Sequence, residues 1–185
     1  MELLGEVGVV KVDRPDDRLE LALDAPNDSV HVRVIPEGAT GEQLGGQAGD
    51  GPRLTVAKER LPELLETLFH KMRVQQLLVL PIGKWRRVFD VVAFSMATVE
   101  EWAEVDATAS VRLNTRDPLL CAPPDLHTLR ALIQAILSDA DSVDQGILIT
   151  TTITPVLVEL HPDGCVHFTL SSAALASQVE KLLET

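Results

Sequence analysis

The segment VELHPDGCVHFTL, Val158 to Leu170, predicts a β-hairpin from its local chemistry alone. Apolar and polar residues alternate on both sides of its centre, as they do in strands that bury one face. The centre reads His161 to Gly164, with proline at the second position of a type I turn. Gly164 supplies the left-handed residue that closes a three-residue loop. We therefore expect two short antiparallel strands in a register that the turn determines.

That register brings four polar side chains onto one face of the hairpin. It pairs Glu159 with His167 and His161 with Cys165, and cross-strand Cβ atoms lie about 4.5 to 5.5 Å apart. Such a group could hold a zinc ion, or it could be the wet face of a half-buried hairpin. Because His-x5-His across a hairpin matches no metal-site pattern, the sequence favours the wet face. It predicts no metal ligand, no catalytic residue and no cofactor.

Helices and further strands are predicted on both sides of this hairpin. Leucines recur at helical spacing from Arg60 to Met72 and from Pro123 to Leu137, which predicts two amphipathic helices with Leu68 and Ile133 on their inner faces. Two more helices are expected at Ala173 to Leu183 and from Thr98. The other strands predicted in this part of the chain are Gln76 to Ile82, Val88 to Met96 and Gly146 to Ile153, and the first strand of the hairpin is expected over Val156 to His161.

The first third of the chain predicts a second hairpin and a loop. Leu19 to Asp24 and Ser29 to Ile35 alternate with a period of two, and we expect these strands to pair with each other. Glu37 to Pro52 contains six glycines and predicts a flexible Gly-rich loop. It lacks the Gly-Lys-Ser/Thr ending of a phosphate-binding loop.

These elements predict an α+β fold, an antiparallel β-sheet covered on one face by helices, in a single domain over residues 1–185. The two helical patterns recur in the same order, and Phe94 aligns with Phe168 at the end of a predicted strand. This repetition indicates an internal duplication with two similar halves, 1–106 and 107–185.

A basic segment stands out in an acidic chain of net charge −12. It includes Lys84, Trp85, Arg86 and Arg87, which we expect at the tip of a hairpin with Trp85 exposed as an anchor for a partner. The alternative is that the acidic N-terminal hairpin packs nearby and neutralises the segment. The four residues are the predicted binding residues.

The composition and motifs of the chain disfavour several classes of function. The acidic charge disfavours nucleic acid, and no apolar run is long enough to cross a membrane. Cys121 and Cys165 are far apart in sequence, as expected of free thiols in a reducing cytoplasm. No nucleophile elbow or His-Glu-x-x-His motif is present. The sequence thus favours a non-enzymatic adaptor or chaperone-like domain whose partner is another protein or a second copy; the alternative is a small-molecule or metal-dependent enzyme using His161, Cys165 and His167.

Overall fold

The computed structural model of the chain describes residues 2–6, 8–12, 20–24, 28–39, 51–96 and 118–184. Within them the fold is α+β, with a mostly antiparallel sheet of seven strands and a separate two-stranded antiparallel sheet. The strands are β1 Val9–Val12, β2 Glu20–Leu23, β3 Val30–Pro36, β4 Arg53–Val56, β5 Leu77–Pro81, β6 Leu119–Cys121, β7 Ile147–Thr151, β8 Val156–Leu160 and β9 Val166–Leu170. The helices are α1 Glu2–Glu6, α2 Leu61–Lys71, α3 Trp85–Met96, α4 Leu126–Asp139 and α5 Ala173–Leu183.

The large sheet has the strand order β4-β3-β9-β8-β7-β5-β6. Strands β3 and β4 run parallel, and every other neighbouring pair runs antiparallel. The predicted loop from Glu37 to Pro52 therefore joins two adjacent parallel strands, which requires a crossover connection. Residues 40–50 of that loop lie outside the described residues.

A close backbone contact explains one glycine of this connection. A Cβ atom on Gly51 would lie 2.0 Å from the carbonyl oxygen of His31, closer than any real contact. The contact occurs where β4 starts beside β3, since the Arg33 amide donates to the carbonyl of Pro52 at 2.9 Å. Only glycine lets the chain return to the sheet along this path.

The two best helical patterns form the helices that the sequence predicts. Helix α2 has Pro62 in its first turn and buries its leucine stripe, and α4 buries the corresponding stripe. Leu68 and Ile133 are both 1% exposed, as predicted. The two helices contact each other, and an Arg130–Glu66 ion pair of 3.0 Å joins them at the surface.

The buried apolar residues form two clusters on opposite sides of the large sheet. The larger cluster joins residues of α2 to α5 with alternate residues of the strands, Val32, Val158 and Phe168 among them. The smaller cluster joins Leu78, Leu80, Leu148 and Leu157 of the sheet with Leu4, Val9, Leu21 and Leu23. The small sheet and α1 thus pack over β5, β7 and β8, and no described residue of β3, β4 or β9 belongs to that smaller cluster.

Two predictions about strands are wrong, and not every strand was predicted. Strand β2 pairs with β1, in the register Val9 with Leu23, whereas β3 pairs with β4 and β9. The predicted strand from Val88 to Met96 is helix α3. Its buried residues recur at helical spacing, and Asp90 between them is exposed, so the segment has the period of a helix. Strand β4 was not predicted at all.

The predicted duplication loses one of its supports. Phe94 lies in helix α3 and Phe168 in strand β9, so aligning them compares two kinds of structure. The two halves themselves stay a prediction, and the predicted helix from Thr98 lies outside the described residues.

Candidate functional site

The β8–β9 hairpin has the turn and register that its sequence predicts. The Gly164 amide donates to the His161 carbonyl and the His161 amide donates to the Cys165 carbonyl, both at 3.0 Å. Gly164 has a φ of +94°, the left-handed conformation that closes this loop. Asp163 Oδ1 accepts a hydrogen bond of 2.9 Å from the Cys165 amide and stabilises the turn. Glu159 stands opposite His167, as predicted.

Three side chains of this hairpin that can act as metal ligands lie close together. Glu159, His161 and His167 each place one ligand atom within 4.8 Å of the others, and all three are half-buried. His161 Nε2 lies 3.6 Å from Glu159 Oε2, and the two imidazole centroids are 5.3 Å apart. Ligand atoms around a tetrahedral zinc with bonds of roughly 2.1 Å lie about 3.4 Å apart. The Glu159–His161 separation is close to that value, and the ligand atom of His167 lies within 4.8 Å of both.

The environment of His167 favours the form that binds metal. Burial lowers the pKa of His167, and the neighbouring His161 and Arg33 lower it further, while Glu159 and Asp163 oppose this shift. The imidazole of His167 is therefore neutral at neutral pH. A neutral ring offers a nitrogen lone pair to a cation, because no proton has to leave first.

Cys165 does not join this group, although the sequence analysis placed it on the same face. Its residue is 6% exposed, and it is absent from the three ligand atoms that converge. Burial raises the pKa of its thiol to about 11, and the charge and hydrogen bond of Asp163 raise it too, against a lowering by Arg33. Metals bind the thiolate, so a thiol with this pKa is a poor ligand at neutral pH.

Cationic side chains continue the same face of the sheet across β9, β3 and β4. Arg33 stands opposite His167 in the β3–β9 register, and Arg53 stands opposite Arg33 in the β3–β4 register. His31 lies one pair further along, and its Nδ1 is 3.3 Å from the hydroxyl of Thr169. We call this surface the polar face; it consists of His31, Arg33, Arg53, Glu159, His161, His167 and Thr169. Spacing along the chain does not reveal that its arginines belong to this face, because they come from strands that are distant from the hairpin in the sequence.

The predicted binding residues lie elsewhere, and Trp85 is not exposed. Trp85 opens helix α3, is 2% exposed, and stacks on Phe89 with ring centroids 5.4 Å apart. The prediction of an exposed hairpin tip is therefore wrong, because the segment begins a helix whose first turn packs into the core. Lys84, Arg86 and Arg87 are exposed, and Arg87 forms an ion pair with Asp144. A binding role for these residues stays a prediction.

Cys121 is a half-buried residue of strand β6 with a free thiol. Burial raises the pKa of this thiol to about 11, and the charge of Asp125 acts in the same direction. A thiol that stays protonated at neutral pH is a weak nucleophile. Cys121 is therefore better suited to a structural role than to nucleophilic chemistry.

Comparison with known proteins gives no family to which the chain can be assigned. No protein-family model, no curated protein and no solved structure matches it. Among the described residues, no helix has the length and apolar character needed to cross a membrane.

Proposed function

We propose that this protein binds one divalent transition-metal ion through Glu159, His161 and His167 on the β8–β9 hairpin. The observation that supports the proposal is the convergence of their three ligand atoms within 4.8 Å. Two imidazoles and one carboxylate suit zinc and its neighbours, whereas magnesium and calcium prefer sites made of oxygen ligands. This is a narrower form of the metal-dependent alternative, with Cys165 removed from the ligand set.

Three protein ligands leave one coordination position for water or a small molecule. Structural zinc sites are normally closed by four protein ligands, whereas catalytic sites keep an exchangeable position. The half-buried setting of the three side chains gives partial access from solvent. The site is therefore suited to bind a small molecule on its metal, and such a metal can polarise that molecule or activate water.

Metal titration of protein purified without a histidine tag tests the proposal. After the protein is stripped with a chelator, Zn²⁺ is titrated in competition with a chromophoric chelator. We expect one equivalent to bind, and we expect His161→Ala and His167→Ala each to lower the affinity more than about 100-fold, beyond the usual effect of losing an outer-shell partner. His31→Ala is the matched control, because His31 lies on the same polar face outside the group.

Two results would refute the metal site. One is binding of less than about 0.1 equivalent of Zn²⁺, Co²⁺ and Ni²⁺ by the wild-type protein at neutral pH. The other is an equal loss of affinity in His31→Ala and His167→Ala, which would indicate nonspecific binding to surface histidines. Circular dichroism of each variant checks that the fold is retained.

A non-enzymatic interaction role is the second candidate, and the exposure of Leu120 favours it. Leu120 is 54% exposed on β6, which stands at one edge of the large sheet within the described residues. An apolar residue on a sheet edge suits pairing with a strand of a second copy. Sedimentation velocity over a range of concentrations tests this: we expect a dimer that Leu120→Lys abolishes, and a wild-type protein that stays monomeric would refute it.

Three broader predictions stay part of this proposal. The two free thiols of Cys121 and Cys165 support a cytoplasmic location, because a reducing compartment keeps cysteines unpaired. A sheet covered by helices on one face and a duplicated chain are the finer architecture that we propose. The buried cluster that joins α2 to α5 with one face of the sheet supports the helical cover.

A further inference from the structure

We propose that the metal on the polar face binds together with a small oxyanion, a phosphate or carboxylate group, which Arg33 and Arg53 hold at the open coordination position. This inference rests on the proposed metal site and names the class of its ligand. It follows from four residues that lie side by side on four neighbouring strands: Glu159, His167, Arg33 and Arg53.

Strand pairing places these four residues in one row. Glu159 on β8 stands opposite His167 on β9, which stands opposite Arg33 on β3, which stands opposite Arg53 on β4. All four alternate with residues of the larger apolar cluster, so their side chains share the opposite face of the sheet. Neighbouring strands are about 4.8 Å apart, so the guanidinium of Arg33 can reach a ligand bound beside His167.

With a metal bound, the net charge of this row is positive, which favours binding of an anion. A divalent cation held by one carboxylate and two neutral imidazoles leaves a local charge of about +1 before the arginines are counted. Arg33 is close enough to act electrostatically on His167. An oxyanion bound between the metal and Arg33 would contact both cations. Arginine also suits this task, because its planar fork matches carboxylate and phosphate oxygens in pairs.

A local cationic surface would offset the overall negative charge of the molecule at the point where an anion binds. A chain with a net charge of −12 repels small anions in general. Asp163, the other carboxylate of the hairpin, accepts a hydrogen bond from the Cys165 amide in the turn, and its charge partly offsets that of Arg33 at His167. The polar face thus has two cationic side chains, Arg33 and Arg53, on the strands beside the position where the anion would bind.

Visible spectroscopy of the Co²⁺-loaded full-length protein tests the inference, with inorganic phosphate as the first probe and acetate as the second. Phosphate is titrated at constant ionic strength, and the Co²⁺ absorption bands report a change in the ligands of the metal. We expect a saturable change in the wild-type protein. A response to both probes indicates a site for either oxyanion, and a response to one identifies the group that the site prefers.

Arginine variants separate this inference from the metal site itself. Arg33→Gln should weaken phosphate binding at least about tenfold and should tighten Co²⁺ about 3- to 10-fold in the absence of anion, because one repelling charge is removed. Arg33→Lys keeps the charge and loses the fork, so its Co²⁺ affinity should stay near the wild-type value while phosphate binds more weakly. Arg53→Gln should weaken phosphate less than Arg33→Gln. The control is Arg60→Gln, an exposed arginine on the turn before α2.

The outcomes are distinct. If Co²⁺ binds but neither anion changes its spectrum, or if phosphate removes the metal from the protein, the oxyanion site is refuted and the metal site stands. Equal phosphate affinity in the wild-type protein and in Arg33→Gln would also refute it. If Co²⁺ does not bind at all, the proposed function fails and this inference fails with it.

Discussion

Replacing Trp85 with alanine should cost the protein a large part of its stability, because the side chain lies in the core. Trp85 is 2% exposed and stacks on Phe89. An aromatic side chain buries about 150 to 250 Å², which at roughly 25 cal/mol per Å² amounts to about 4 to 6 kcal/mol. A compact unfolded state lowers this figure by roughly 10 to 40%. We therefore expect a loss of about 3 to 5 kcal/mol in the free energy of unfolding, the usual range for such truncations.

Urea denaturation followed by circular dichroism measures this loss. Since the expected loss is a large fraction of the stability of an ordinary domain, Trp85→Phe serves as a second, milder variant. A Trp102→Phe background removes the chain's other tryptophan, so that fluorescence reports Trp85 alone. We expect an emission maximum at short wavelength that shifts to long wavelength on unfolding.

An exposed anchor would behave differently in each measurement. Its removal would change the free energy of unfolding by less than about 0.5 kcal/mol, as at ordinary surface positions. Its emission would already be at long wavelength in the folded protein. Both results together would refute the placement of Trp85 in the core and restore the predicted binding tip.

Three further predictions concern Gly51, the two cysteines and His167. Gly51→Ala should destabilise the protein by about 1 to 3 kcal/mol in urea denaturation, because its Cβ would collide with the carbonyl of His31; an unchanged midpoint would contradict the close approach. Cys121 and Cys165, both with a pKa of about 11, should react slowly with iodoacetamide at pH 8 in the folded protein and at ordinary rates in urea; equal rates in both conditions would contradict their burial. The pKa of His167 is lowered in the folded state, so the unfolded chain takes up its proton first as the pH falls below the ordinary value of 6.5. The free energy of unfolding of the metal-free protein should therefore decrease as the pH is lowered below that value. His167→Gln should reduce the slope of this free energy against pH by the equivalent of about one proton, and identical slopes in the two proteins would contradict the lowered pKa.

Local patterns in the sequence determined the elements that depend on neighbours along the chain. Helices α2 and α4 follow from leucines at helical spacing, and the β8–β9 register follows from a turn with proline and glycine at defined positions. The proximity of Glu159, His161 and His167 also depends on neighbours along the chain, because all three lie within one hairpin. These contacts span few residues, so local geometry suffices to predict them.

The identity of strand partners was decided by the tertiary structure. The sequence paired β2 with β3 because they are adjacent in the chain, yet β2 pairs with β1 and β3 pairs with β9, more than a hundred residues away. Alternation reveals that a strand has one apolar face, and many strands share that property. Which of them pair depends on how the helices and both apolar clusters pack together.

The same limit separates the two parts of the candidate site. The three proposed metal ligands lie in one hairpin, and Cys165 looked equivalent to them in the sequence until its burial and the pKa of its thiol set it apart. The sequence predicted an exposed Trp85, whereas the first turn of helix α3 places its side chain in the core. Arg33 and Arg53 reach the polar face only because β3 lies between β9 and β4. Spacing along the chain determined the hairpin and the polar side chains that it brings together. The burial of each residue and its neighbours from distant strands depend on the packing of the whole sheet around its core.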